Sequence, residues 1–521
     1  MLARLRFAVY RWILGRVTAR GFRDHQVLPI EVPGPERIDV EPVAPELARL
    51  FTPLNFPRTE HAKSRAKAIR FRAKLRPIVS RIPTARSGPI ATDHAGLLDQ
   101  IYPARYRKIW PHPPRTPPEL EADDVLAALA VSGPFAMYLQ SGSTLDDLAG
   151  LTTVVAPGDL VIDMRFFDAY DPKPDLVAPG GLAVFAVDAD QLRTRGIVYA
   201  GRMHEAGEVS FERAKRAFLC ALNTHLTTIV HNVTIHLAYV TPMAVASTNE
   251  LDPDHPIRRL LHPSLHTTLI GNHELAQFQV VGERSFATTL FSHEYPTLVS
   301  MINAHLDDFR ISSLDPDVAF EHRGLGGATI ALPWWDDAMA LWRINLAYTE
   351  RYVAHYYPDD AAVADDRQLD RWRKALDRLL PSGLDDEATY PCAGRPLDRR
   401  SLVRICATFL HTSSATHDVV NNAVWDYSTL NDAIPTVVPE SLEPQDVRLS
   451  FDLLNTIIGT WKPYNMLLDG FSILALDDQG RQIMDDYVGA LEARQSSMTV
   501  NAATHQAGRI YPGALNVSVS N

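Results

Sequence analysis

Long apolar stretches without helix breakers dominate the second half of this chain. The longest runs from Phe211 to Val240 without proline or glycine and predicts one long buried helix. A second spans Asp336–Tyr357, with acidic residues in its first turn and Pro358 just after its end. A third candidate helix covers residues 401–424. These three segments predict a fold built on long central helices.

A strand pattern precedes them, from residue 151 to residue 199. Its apolar runs LTTVVA, LVIDM and LAVFAVD are bounded by Pro-Gly or Gly-Gly turns, which is typical of short strands. Residues 27–58 and 77–118 are rich in proline and lack periodicity, so we expect extended segments that wrap a core. The predicted fold class is mainly α, with a small β-rich element near the front.

Composition supports one large folded unit. The chain has 521 residues, of which 46 % are hydrophobic and 22 % charged, so a sizeable core can form. Length alone would allow about three domains. We interpret residues 1–130 as a basic helix with wrapping segments that belong to the same unit as the main domain over residues 131–521.

The charge distribution excludes one class of partner and suggests another. A net charge of −11 gives no overall positive field for nucleic acid. Basic residues concentrate near the N-terminus, where peripheral contact with a membrane and a solvated basic helix are the alternatives. Three cysteines without a CxxC pair fit a reducing compartment. Because Arg11 interrupts the first apolar run, no clear signal peptide is present, and we expect a cytoplasmic monomer.

Two histidines inside the longest predicted helix are candidate metal ligands. His231 and His236 lie five residues apart, which places them about 140° apart around a regular α-helix. A local π-helical widening would bring both onto one face, and such widenings concentrate at functional sites. The alternative is one structural core histidine and one surface histidine. For this pair alone, the alternative is the more common case.

His417 and Asn421 form a second candidate pair. Residues at i and i+4 share a helix face, so an imidazole and an amide oxygen can converge on one ion. A buried polar pair bonded to its neighbours is the alternative. Neither pair brings an obvious anionic ligand. A zinc hydrolase is disfavoured because the segment that starts at His204-Glu205 lacks the second histidine of HExxH.

Several blocks of sequence, taken in order, resemble the catalytic domain of lipoxygenases over roughly residues 150–521. They are HPIRRLLHP at 255–263, TLIGN at 268–272, LPWWDD at 332–337, YVAHYY at 352–357, SATHDVVN at 414–421 followed by Asp426-Tyr427, and LNVSVSN at 515–521. The corresponding lipoxygenase motifs are HP-I-x-K-L-L-x-P-H, Y-P-Y-R-D-D, Y-V-x-x-Y-Y, S-A-Q-H-A-A-V-N and a terminal I-P-N-S-V-S-I.

The resemblance implies a mononuclear non-haem iron centre, with manganese as the alternative metal. Its implied ligands are His231, His236, His417, Asn421 and the main-chain carboxylate of Asn521. It also implies that polyunsaturated fatty acids and O2 are the substrates. The reaction would remove a hydrogen atom from a pentadiene and insert O2 to give a hydroperoxide, with no catalytic group beyond the metal and the hydroxide that it holds.

The chain departs from the family pattern at several positions. Asn521 stands where isoleucine is usual, Val517 replaces an asparagine, and Thr227 lies where many members carry glutamine. The family position that affects product stereochemistry falls at Leu275 or Ala276, which we expect to line a substrate pocket. The chain resembles a minimal bacterial-type catalytic domain without the N-terminal β-barrel. The alternatives are a same-fold enzyme for hydroperoxides or non-lipid substrates, and a lipid-binding pseudoenzyme.

Overall fold

The computed structural model describes most of the chain from residue 32 onwards. The described residues are 32–34, 36–57, 117–145, 154–384, 395–428, 430–442, 466–498 and 509–519. The predicted basic helix at the N-terminus, the proline-rich segment 77–116 and Asn521 lie outside them. The cytoplasmic location and the membrane contact expected from the N-terminus therefore stay predictions.

A five-stranded antiparallel meander forms the β-rich element near the front. Its strands follow chain order and are β3 Gln140–Ser141, β4 Leu160–Asp163, β5 Leu182–Asp188, β6 Gln191–Tyr199 and β7 Arg202–Glu205. Because side chains alternate across a strand, Leu160 and Phe185 face the main core, whereas Val161 and Val184 pack in a smaller cluster on the other face.

Two of the three predicted strand runs are confirmed by β4 and β5. The run LTTVVA is not a strand where it is described, because residues 154–156 form a turn. The hydrogen bond from Ala156 N to Asp159 Oδ2, 2.7 Å, and that from Asp159 N to Ala156 O, 3.0 Å, close this turn before β4 begins. The apolar residues alone do not reveal that hydrogen bonds with Asp159 favour a turn over a strand here.

Residues 36–57 fold as a short hairpin that packs on the helices, and are not simply extended as predicted. Strands β1 Val40–Pro42 and β2 Phe51–Pro53 pair antiparallel, with a 3-10 turn between them. Leu47 and Leu50 on the intervening segment are fully buried in the main core. The backbone of Ile38 exchanges two hydrogen bonds with the Asn249 side chain, at 2.7 and 2.9 Å.

Helices make up the rest of the described core. The α-helices are α1 Val125–Val131, α2 Phe211–Thr224, α3 Thr241–Glu250, α4 Pro256–Leu265, α5 Thr268–Leu275, α6 Phe286–Leu290, α7 Tyr295–Asp308, α8 Pro316–His322, α9 Pro333–Tyr356, α10 Asp360–Ala364, α11 Arg367–Leu379, α12 Arg399–His411, α13 His417–Ala423 and α14 Asp478–Ser497. The π-helical segments are His225–Val240, Ala276–Val280, Thr412–Thr416 and Val424–Ser428.

The longest helix of the described chain is continuous from Phe211 to Glu250 and is here called the central helix. It consists of α2, the π-helical segment His225–Val240 and α3. The sequence predicts its end at Val240, yet it continues because Pro242 lies in the first turn of α3, where a missing N–H is tolerated. By length and composition it could cross a membrane, but 94 % of its most apolar window is buried inside the protein.

The other two predicted long helices are also confirmed, with different ends. α9 begins three residues before the predicted Asp336, because Pro333 fits its first turn. The candidate at 401–424 is α12 and α13, separated by the π-helical segment Thr412–Thr416. Its start is set by Asp398, which forms a capping box with Ser401.

Large aromatic side chains fill the contacts between these helices. α11 packs against α3, and α9 packs against α12 and α14. Trp372 on α11 is fully buried, and its Nε1–H donates to Ser247 Oγ on α3 over 3.0 Å. Because α3 is the end of the central helix, this contact supports the segment that carries His231 and His236.

Replacing Trp372 by alanine should destabilise the protein by about 3 to 5 kcal/mol, because the change leaves a large cavity and strands a buried hydroxyl. Chemical denaturation measures this loss. The matched control is Ile473→Ala, at a side chain that is 82 % exposed, with an expected change within about 0.5 kcal/mol. Equal effects of the two substitutions would contradict the assigned role of Trp372.

Candidate metal centre

A π-helical backbone brings the two candidate histidines of the central helix together. In the segment His225–Val240, Thr234 Oγ1 donates to Ile229 O over 3.0 Å, and Thr241 Oγ1 donates to His236 O over 2.8 Å. With a longer turn, residues five apart share one face. The Nε2 atoms of His231 and His236 consequently lie 3.1 Å apart. Of the two alternatives for this pair, the structure shows the π-helical widening.

His417, the first residue of α13, completes the cluster. Its Nε2 lies 3.4 Å from that of His231 and 3.2 Å from that of His236. All three side chains are buried, and they are the group of potential metal-binding histidine, cysteine or acidic residues found in the described chain. The sequence pairs His231–His236 and His417–Asn421 thus meet where α13 packs against the central helix.

His236 is held by an asparagine from another helix. Its Nδ1–H donates to Asn272 Oδ1 over 2.8 Å, and Asn272 Nδ2 donates to His236 O and Thr241 Oγ1 over 2.8 and 2.9 Å. This bond puts the proton on Nδ1 and leaves the Nε2 lone pair free. Asn272 ends one of the motifs quoted above, but no sequence pattern indicated its role.

His417 is held by the residue that follows it. His417 Nδ1–H donates to Asp418 Oδ1 over 3.3 Å, so its proton also lies on the nitrogen that faces away from the cluster. Asp418 Oδ2 accepts from the backbone N–H of Asn516 and, over 3.2 Å, from its Nδ2. The sequence analysis missed Asp418. Its signal was a carboxylate directly beside a candidate ligand.

The separations of the three Nε2 atoms are explained better by binding to one metal ion than by hydrogen bonds between the rings. With protons on both outer nitrogens, the Nε2 atoms of His236 and His417 are acceptors and cannot bond one another. His231 can donate to only one of them. Two nitrogens that each bond one ion at about 2.1 Å, at angles of about 90 to 110°, lie about 3.0 to 3.4 Å apart. The observed separations of 3.1 to 3.4 Å match.

Burial keeps the imidazoles of His231 and His417 neutral, as ligands must be. Removal from water lowers the pKa of His417 to about 3. The pKa of His231 is lowered well below its ordinary value by burial first and then by the neighbouring His236 and His417. Neutral imidazole is a common ligand of iron and of other transition metals.

Asn421 lies one turn beyond His417 on the same face of α13. Its side chain is buried, and Nδ2 has no hydrogen-bond partner among the described residues. A half-turn of the amide brings its oxygen to the place of this nitrogen, so the side chain can supply an oxygen ligand. Asn521 lies outside the described residues, and its ligation stays a prediction.

The described C-terminal segment, Arg509–Val519, enters the interior. Arg509 and Arg494 both donate to the fully buried carboxylate of Asp337, at 2.5 to 2.8 Å, and Ile510 N donates to it at 3.1 Å. Further along the same segment, Asn516 Nδ2 donates to Asp418 Oδ2 over 3.2 Å.

The other residues singled out in the sequence lie close to these elements. Leu275 ends α5, and Ala276 begins the following π-helical segment; both are buried, within about one turn of Asn272. Their role as a substrate pocket stays a prediction. Thr227 Oγ1 donates to Asn223 Oδ1 over 3.3 Å.

Fold and site together define a helical protein with a buried three-histidine centre of the kind that holds a non-haem metal. A family model, Lipoxygenase, matches residues 187–456, just over half of the sequence. The chain belongs to the lipoxygenase family.

Curated relatives are similar over part of the chain. Linoleate 9S-lipoxygenase B of Solanum lycopersicum is 26 % identical over 280 residues, which cover 52 % of this chain and 32 % of that protein. Seed linoleate 9S-lipoxygenase of Glycine max is 25 % identical over 255 residues, 47 % of this chain and 29 % of that protein. The chain thus spans about a third of the length of these relatives.

Solved structures show the fold. A lipoxygenase described as Delta413-417:GS LOX superposes with a TM-score of 0.73 at 15 % identity, covering 91 % of this chain and 79 % of that one. A calcium-dependent 11R-lipoxygenase gives a TM-score of 0.67 at 16 % identity, covering 89 % and 82 %. The mainly α fold class predicted from the sequence is confirmed by these matches.

Further histidines, buried or half-buried, lie outside the metal centre. His225 Nδ1 bonds the Tyr138 hydroxyl over 2.9 Å, and its ring lies 6.0 Å from that of His305. Burial first, and then the nearby His305 and Arg323, lower the pKa of His225 to about 3. Burial also lowers the pKa to about 4 for His266, His293, His305 and His411.

Acid should therefore destabilise the fold. In the unfolded chain these histidines bind protons near pH 6.5, whereas in the folded protein they stay neutral down to about pH 4. The free energy of unfolding is therefore highest above pH 6.5 and falls as the pH drops below that value. In denaturation curves between pH 7.5 and 5, His225→Gln should reduce the slope by about 1.4 kcal/mol per pH unit. His322→Gln, at an exposed position, is the matched control for the substitution itself. A wild-type stability independent of pH over this range would contradict the expectation.

Proposed function

We propose that this protein is a non-haem iron dioxygenase that converts polyunsaturated fatty acids to hydroperoxides. The observation that carries the proposal is the buried triangle of Nε2 atoms from His231, His236 and His417, separated by 3.1 to 3.4 Å within a lipoxygenase fold. Family and fold support a dioxygenase in general; the substrate and product are the proposal.

Five groups would hold the iron. The three histidines supply neutral nitrogen donors, Asn421 an amide oxygen and the main-chain carboxylate of Asn521 the one anion. When bound, iron supplies the reversible one-electron chemistry that removes a hydrogen atom from the carbon between two double bonds. Dioxygen then adds to the substrate radical, and return of one electron and one proton gives the hydroperoxide.

The remaining residues prepare the site for this chemistry. Asn272 and Asp418 hold His236 and His417 with their Nε2 lone pairs directed to the centre. The apolar residues Leu275 and Ala276 follow Asn272 on the same stretch of chain, where they can contact the fatty-acid tail. Burial of the cluster keeps bulk water away from a substrate radical.

The names of the similar proteins indicate the substrate class to test first. Two of the relatives are linoleate lipoxygenases, and one structurally similar lipoxygenase was crystallised with arachidonate. Both compounds contain the pentadiene that the proposed reaction needs. Linoleate and arachidonate are therefore the probes, and oleate, which has a single double bond, is the matched negative control.

The departure at Asn521 favours a second candidate, a lipid-binding pseudoenzyme. An asparagine side chain would have to be hydrogen-bonded where an apolar one is usual, and the altered end would not close the site. This candidate predicts less than one metal per chain and no oxygen uptake with any polyunsaturated lipid. A same-fold enzyme acting on hydroperoxides or non-lipid substrates would instead hold metal but leave linoleate unchanged.

Purified protein should contain about one iron or manganese per chain and should consume O2 with linoleate but not with oleate. His417→Ala should lose most of the metal and lower oxygen uptake by at least about 100-fold, because one of three nitrogen donors is gone. Elemental analysis and an oxygen electrode measure the two effects. His411→Ala, at a buried histidine outside the cluster, should keep the metal. Metal-free wild-type protein would end the dioxygenase proposal.

Shortening Leu275 should change which hydroperoxide isomer forms. Leu275→Ala removes three carbons from the proposed pocket, and the isomer ratio from linoleate should shift by about tenfold or more. Ala276→Gly, a smaller change at the adjacent residue, is the paired variant. Chiral chromatography of the products measures the ratio, with metal content as a check of the site. An unchanged ratio in both variants would remove these residues from the pocket.

A further inference from the structure

Asp418 is a buried carboxylate in an unusual position. It is 1 % exposed, and its carboxylate bonds two different parts of the protein. Oδ1 accepts from His417 Nδ1 at 3.3 Å and from Asn516 Nδ2 at 3.4 Å, while Oδ2 accepts from the backbone N–H and the Nδ2 of Asn516. A single side chain therefore links a histidine of the metal centre to the C-terminal segment.

A buried charge needs these partners. An ionised carboxylate without hydrogen bonds is costly in a protein interior, and removing one partner leaves the charge poorly compensated. Asn516 provides two donors and His417 a third, all within 3.4 Å of the carboxylate oxygens. The positions of His417 and of the segment around Asn516 are therefore linked through Asp418.

Both residues of this pair differ from the motifs quoted above. There, alanine follows the histidine of S-A-Q-H-A-A-V-N, and proline is second in the terminal I-P-N-S-V-S-I. Proline has no backbone N–H and could not make the bond that Asn516 makes. The acceptor at 418 and the donor at 516 therefore occur together in this chain, and they fit each other.

Asp418 does not belong to the ligand cluster itself. Its Oδ1 lies on the Nδ1 side of the His417 ring, opposite the Nε2 atom that faces His231 and His236. The group of mutually close donor atoms contains the three histidines without Asp418. Its influence on a bound metal must therefore pass through His417 and through the C-terminal segment.

We propose that Asp418 is a positioning residue that couples the C-terminal segment to the metal centre. It holds His417 in the tautomer with a free Nε2, and it holds Asn516, five residues before the carboxylate of Asn521. Metal binding polarises the His417 ring and strengthens the bond from Nδ1–H to Asp418. By thermodynamic linkage, order in the C-terminal segment increases the affinity for the metal, and metal binding increases order in that segment by the same free energy. This coupling rests on the proposed metal site.

The test uses full-length protein and two readouts. Affinity is measured by anaerobic titration with Fe2+, and with Mn2+ as a substitute that is less readily oxidised. Order in the segment is measured by amide hydrogen exchange of peptides covering residues 509–519, with and without metal. In wild-type protein, the metal should slow exchange in this segment.

Asp418→Asn should weaken metal affinity about 10- to 100-fold, because the amide cannot supply the negative charge at His417 Nδ1. Exchange in residues 509–519 should rise, and added metal should no longer slow it. Asn516→Ala keeps the backbone donor and removes only the side-chain bonds, so a loss of a few-fold is expected. This milder variant keeps the test open if Asp418→Asn does not fold.

Asp337→Asn is the matched control. Asp337 is also a buried carboxylate that holds the C-terminal segment, at Arg509 and Ile510, but it bonds none of the three histidines in the described contacts. Its replacement should raise exchange near residue 510 and weaken metal affinity much less than Asp418→Asn does. If the two variants lose affinity equally, Asp418 acts only as an anchor and the coupling through His417 is wrong.

The outcomes separate this inference from the proposed function. If wild-type protein binds neither metal, the metal site fails, and the coupling fails with it. If wild-type protein binds metal and Asp418→Asn binds it equally well, the coupling alone is overturned. Loss of affinity together with loss of metal-dependent protection in residues 509–519 supports the coupling.

Discussion

The structure depends on three imidazole nitrogens that meet in a buried interior. The Nε2 atoms of His236 and His417 are both acceptors and lie 3.2 Å apart, and His231 can donate to only one of them, so the cluster is costly unless a cation lies between the rings. The surrounding fold has to impose it. The widened central helix, the packing of α13 and the bonds to Asn272 and Asp418 serve that purpose.

This constraint explains why the centre joins segments that are distant in the sequence. Residues close along the chain can supply two nitrogens from one helix, but further donors must come from elsewhere. Asn272 on α5 and Asn516 near the C-terminal end each reach the centre across a long separation. The apolar helices around them exclude water and hold these polar groups at fixed distances.

Sequence patterns predicted the parts that depend on local periodicity. The long helices follow from unbroken apolar stretches. The five-residue spacing of His231 and His236 left two alternatives open, and the π-helical one is present. The convergence of His417 with them could be inferred only from resemblance to a family. The partners of these histidines were missed, because hydrogen bonds such as that between Asp418 and Asn516 join residues whose proximity no local pattern encodes.

Other predictions failed where one local interaction outweighed the general pattern. The run ending at Ala156 has strand-forming residues, but Asp159 bonds its backbone and closes a turn. The stretch without proline ends at Val240, where we predicted the end of the helix. Pro242 lies in the first turn of α3, where its missing N–H is tolerated, so the central helix continues to Glu250. In both cases the identity of a single neighbouring residue decided the backbone conformation.

A π-helical turn has an evolutionary consequence. Geometrically, it equals an ordinary helix into which one residue has been inserted, with the strain kept local. One codon could thus be gained or lost between His231 and His236 while the apolar surfaces on either side kept their neighbours. The two imidazoles would stay adjacent in both forms, because four residues of α-helix and five residues of π-helix each return to the same face.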